Sequence, residues 1–63
     1  MMSMNYHNSH CHYRGWTLVE RGRFLFASKD NTNVYRRVCK ADTEDNYRIA
    51  AFRAVVDKEE DGE

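Results

Sequence analysis

The 63-residue chain contains no proline, one tryptophan and two cysteines. Without proline, none of its periodic segments is interrupted by a residue that lacks a backbone donor. Cys11 and Cys39 are too few for the disulfide framework of a small secreted domain, so a reduced, cytoplasmic protein is expected. Whether the two thiols form a bridge is left open at this level. No stretch approaches the ~20 apolar residues of a membrane span, so no membrane partner is expected. The first twelve residues are polar and His-rich and do not resemble a signal peptide. Also missing are a Ser–His–Asp ordering, a phosphate-binding loop, a dinucleotide fingerprint and paired carboxylates on a structured face. The chain therefore reads as non-enzymatic, with no cofactor.

Sixty-three residues make one domain, and a chain of this size buries only about 60% of the surface it exposes when unfolded. One thin core and no deep cleft follow. Residues 1–12 lack apolar periodicity and are expected to form a flexible polar arm. From Tyr13 to Val19, and again from Arg23 to Ala27, aromatic and β-branched residues dominate, which predicts a hairpin about Glu20-Arg21-Gly22. Arginine suits a two-residue type I′ turn poorly, so a bulged turn with Gly22 left-handed is the preferred reading. That register sets Val19 opposite Arg23, Leu18 opposite Phe24 and Trp16 opposite Phe26. It gathers Trp16, Leu18, Phe24 and Phe26 on one face and leaves Thr17, Val19, Arg23 and Leu25 on the other.

Lys29 to Asn33 is a polar turn, and Val34 to Lys40 a third strand with Val34 and Val38 on one face, Tyr35 and Cys39 on the other. Asp42-Thr43-Glu44-Asp45 reads as a helix start, with a capping residue followed by acids. Ile49, Phe52, Val55 and Val56 then form an apolar stripe, and Glu44 and Arg48 an i,i+4 pair. The acids of residues 57–63 oppose the negative end of the helix dipole, so fraying and a disordered acidic tail over 58–63 are expected. The fold class is α+β: a three-stranded antiparallel sheet packed on one C-terminal amphipathic helix, in the order β-β-β-α, over residues 13–57.

A net charge of zero conceals a division. Residues 1–40 hold seven basic against two acidic side chains, a balance of +5, and residues 41–63 hold three against eight, a balance of −5. Such patterning speaks to partners. Arg14, Arg21, Arg23, Arg36 and Arg37, interleaved with Tyr13 and Tyr35, make the sheet a candidate surface for double-stranded DNA, since arginine contacts phosphate and reads guanine, and a β-ribbon fits the major groove. The competing explanation is an ordinary solvated sheet whose charges prevent edge-to-edge aggregation. Val19, Leu25 and Tyr35 are the candidate partner-binding residues, exposed on the side away from the helix. His7, His10, Cys11 and His12 are weak candidate metal ligands, because adjacent residues in an extended arm point in different directions.

The order of three strands and a helix resembles two DNA-binding families. Leu18-Val19-Glu20-Arg21-Gly22-Arg23-Phe24-Leu25-Phe26, followed by a turn, a strand and an alanine-containing helix, is similar to the arm-binding domain of phage integrases. Tyr13-Arg14-Gly15, with Thr43-Glu44-Asp45 and Ala50-Ala51, resembles the plant ethylene-response-factor domain. The resemblance covers residues 13–56 and implies DNA contacts at Arg14, Arg21 and Arg23. The acidic second half departs from both families. In size and composition the chain also resembles short accessory proteins of temperate phages. The expected function is thus a small phage-type binding protein contacting DNA through a basic sheet face. The second reading is a regulator or inhibitor of a host protein, docking through the exposed sheet face or the acidic tail, alone or as a homodimer.

Overall fold

The computed structural model describes residues 11–62. Four antiparallel strands lie in sequence order: β1 (His12–Tyr13), β2 (Trp16–Arg21), β3 (Phe24–Lys29) and β4 (Tyr35–Lys40). One helix, α1 (Asp45–Asp61), follows. The α+β class agrees with the sequence reading, but the sheet has four strands where three were expected. The segment from Tyr13 to Val19 is broken after Tyr13 by a two-residue turn at Arg14-Gly15, and both turn residues have positive φ, 52° and 83°. Positive φ at both central positions is the type I′ pattern. Arg14 occupies its first position although arginine suits positive φ poorly.

The next turn decides the faces. Arg21 pairs with Phe24, so Gly22 and Arg23 alone form the connection. Gly22 has φ 65° and Arg23 lies outside the left-handed region, as a type II′ turn requires of its two positions. The bulged register is therefore not formed. Val19 stands opposite Phe26 and Leu18 opposite Ala27. One face carries Trp16, Leu18, Leu25 and Ala27, all buried. Phe24 and Phe26, expected beneath the helix, lie on the other face and stay partly exposed.

The helix covers the first of these faces. Phe52 and Val56 are fully buried against Trp16, Leu18, Leu25 and Ala27, while Ile49 and Val55 pack at the margin. Ala27, with no exposed surface, is the small side chain of this cluster. A bulge in β4 at Val38 shifts the register between Leu25–Cys39 and Phe26–Arg37. The bulge inverts the alternation, so Tyr35 lies on the open face while Cys39 packs against the core. Cys11 and Cys39 are both free thiols beside that core.

At its start α1 has Glu44 in the N-cap position without a side-chain cap bond. Arg48 instead donates to the Ala41 and Thr43 carbonyls and pairs with Asp45 at 3.4 Å, in place of the expected Glu44 pair. At its other end the helix does not fray at residue 57. It runs to Asp61 and closes on Gly62 in the left-handed conformation, whose N–H donates to the Lys58 carbonyl at 3.0 Å. No helix among the described residues is long and apolar enough to cross a membrane.

Candidate nucleic-acid interface

The basic residues of the sheet divide into two groups according to which face the register gives them. Arg14, Lys29 and Arg36 gather at one end of the helix-covered side. Arg14 donates to Asp57 at 2.8 Å and to Asp61 at 3.2 Å. Lys29 lies 3.6 Å from Glu60, and Arg36 lies 3.0 Å from Glu59. Trp16 donates its indole N–H to the same Glu60 at 2.8 Å, and the Tyr13 hydroxyl donates to Asp57 at 2.8 Å. The acids at the end of α1 thus face cations supplied by the sheet, and these oppose the unfavourable helix dipole.

The titration shifts record this clasp. Asp57 is held below the ordinary carboxylate range by its bond from Arg14 and then by that from Tyr13. Glu60 is lowered by the Trp16 indole bond and by the charge of Lys29. The Tyr13 phenol is pushed up, first by the hydrogen bond that it gives to Asp57. Arg14, Arg36 and Tyr13, expected on the nucleic-acid surface, are therefore occupied on the helix side. Leu25, expected to greet a partner, is 3% exposed and belongs to the core.

The second face presents Thr17, Val19 and Arg21 from β2, Phe24, Phe26 and Ser28 from β3, and Tyr35, Arg37 and Lys40 from β4. Arg23 projects from the adjoining turn. The Arg21 guanidinium reaches across β3 to lie 5.6 Å from the centre of the Tyr35 ring, and that of Arg37 lies 5.1 Å from the Phe24 ring. Cations over ring faces are attracted by the ring quadrupole. Among the described residues, no carboxylate pairs with Arg21, Arg23, Arg37 or Lys40. Two shallow hollows mark the face. One, of about 330 Å³, is lined by Arg21, Phe26 and Tyr35. The other, of about 540 Å³, lies at the hairpin end among Gly22, Arg23, Phe24, Lys40, Ala41 and Asp42.

Of the expected nucleic-acid contacts, then, Arg21, Arg23 and Arg37 are brought together, and of the partner-binding residues Val19 and Tyr35 join them. Phe24, Phe26 and Lys40 were not foreseen. The signal for the two phenylalanines was Gly22 itself: glycine in the first position of a two-residue turn fixes the pairing that turns them outward.

At the far end of this face Asp30 accepts from the Thr17 hydroxyl at 2.9 Å and bonds the His12 ring at 2.7 Å. The His12 bond, then that of Thr17, lowers the Asp30 carboxyl. His12 is thus engaged by Asp30, and Cys11 packs against the core. His7 and His10 lie outside the described residues. Among the described residues no group of three or more His, Cys, Asp or Glu side chains is placed to hold a metal ion. No family model, curated protein or solved structure matches the chain.

Proposed function

We propose that this chain is a small non-enzymatic protein that binds nucleic acid through the open face of its sheet. The separation of the cations carries the reading. Arg14, Lys29 and Arg36 are paired with the helix acids, whereas Arg21, Arg23, Arg37 and Lys40 form no ion pair among the described residues and flank the apolar side chains of the open face. The acidic half of the chain therefore does not cancel the basic surface. It consumes only the cations on the helix side, and leaves a cationic platform for a polyanion.

The test is fluorescence anisotropy with labelled DNA and RNA, single-stranded and duplex, titrated across salt concentrations. Binding should weaken steeply as salt rises. The Arg21→Ala/Arg37→Ala double variant should lose most of the affinity, while Arg36→Ala, which removes an arginine paired with Glu59, should lose little. Absence of binding to every form at low salt would end the reading. An equal loss in Arg36→Ala would move the surface to the other side of the sheet.

A further inference from the structure

The chemistry at the centre of the open face specifies more than a polyanion. Resting on the nucleic-acid reading above, we infer that the occupant is a single strand, with an unpaired base stacked at the hollow formed by Arg21, Phe26 and Tyr35.

The register places Phe24 and Phe26 in β3, between β2 and β4, with Arg21 of β2 over the Tyr35 ring and Arg37 of β4 over the Phe24 ring. Tyr35 is 42% exposed, and lies diagonally across from Phe26, because Ser28 is its direct partner and Arg37 is that of Phe26. Diagonal neighbours on adjacent strands are within reach of aromatic side chains. Two rings and one guanidinium therefore border one hollow of about 330 Å³. Base edges in a duplex groove offer donors, acceptors and the thymine methyl. Phenylalanine has no polar atom with which to read donors and acceptors. An unpaired base presents a flat π-face, and aromatic rings and arginine planes are the groups on which such bases stack.

The charges around the rings suit the same occupant. Arg37 lies over the Phe24 ring, Arg23 and Lys40 border the hollow beside Phe24 at the hairpin end, and Arg21 can serve both base and phosphate. A second copy of the chain fits poorly. A two-fold interface would set this patch against itself and bring Arg21 and Arg37 of each copy towards those of the other; of the acids at its two ends, Asp30 is engaged by His12 and Thr17, and Asp42 lies beside Arg23 and Lys40.

The experiment compares three labelled probes of equal length, about 12 nucleotides, on the full chain. They are a single-stranded oligothymidine, the same strand annealed to its complement, and an abasic strand with the same phosphates. The single strand should bind about tenfold or more tightly than the other two. Tyr35→Leu and Phe26→Leu should erase that preference, and Tyr35→Phe should keep it. Tyr35 is exposed enough for its replacement to leave the fold intact, so the result does not depend on Phe26 alone. Equal binding of the three probes, unchanged in Tyr35→Leu, would overturn the stacking inference and leave the broader nucleic-acid reading standing. Failure of all three would overturn both. Self-association in sedimentation that Arg21→Glu strengthens would assign the face to a second copy and overturn the inference as well.

Discussion

Gly22 joins β2 to β3 with φ 65° and has no heavy atom within 4 Å of where a Cβ would stand. Its role is therefore conformational rather than steric: a side chain would fit in space but not on this backbone. Left-handed φ costs an L-residue roughly 1–2 kcal/mol, so Gly22→Ala should destabilise the protein by about that amount in urea denaturation. A cost near zero would show that the turn relaxes to another type. The same residue explains why the aromatic faces were misread. A bulged turn and a two-residue turn are both compatible with Glu20-Arg21-Gly22-Arg23, and only the bulged one would collect Trp16, Leu18, Phe24 and Phe26 into one core. The chain forms the other. The core has one helix to accommodate, and Phe52 and Val56 enter it from that helix. Ala27 lies beneath them with no exposed surface, and Phe24 and Phe26 face outward because the observed pairing differs from the bulged one by three residues, an odd number, which turns every β3 side chain to the other face. Arg14 at φ 52° was hidden for a related reason. Its tertiary partners Asp57 and Asp61 stand more than forty positions away along the chain, and no local rule reports them.

At the scale of the element, the helix is the part whose extent sequence defined least well. Its apolar stripe was legible from spacing, and Phe52 and Val56 occupy the core as that stripe requires. Its last turn was not, because carboxylates at a helix C-terminus oppose the dipole when the helix is considered alone. The sheet alters that balance. Asp57, Glu59, Glu60 and Asp61 each meet a cation or a donor from β2, β3, β4 or the Arg14 turn, and Gly62 closes the end. Exposed ion pairs are individually weak, but here several share one helix turn with an indole hydrogen bond and a capping glycine. A chain ending at Asp57 should therefore melt several degrees below the full chain in circular dichroism. It should also lose helix content beyond the residues removed, as the last turn frays without its cap. An unchanged Tm would mean that the final turn only decorates the fold.

For the molecule as a whole, the charge division seen in the sequence becomes a division between faces. The helix acids draw the cations of one sheet end onto the core side, and the remaining cations stand on the other. Proton concentration and salt should consequently act on the two faces in different ways. Asp57 and Glu60 are lowered by the folded structure, and so is Asp30. A lowered folded-state value means that the native protein binds protons less readily than the unfolded chain. The stabilisation is present in full above the ordinary carboxylate range, about pH 4, and is lost as the pH falls through the depressed values. Urea midpoints should then hold near neutrality and drop as the pH is taken below about 4. Added salt at neutral pH should reproduce only part of this loss, since it screens the ion pairs but leaves the Trp16 and Tyr13 hydrogen bonds to their carboxylates. Asp57→Asn with Glu60→Gln should lower the midpoint at neutral pH and flatten its acid dependence. A variant whose acid loss matched that of the parent chain would show that the clasp between helix and sheet is not what responds to acid.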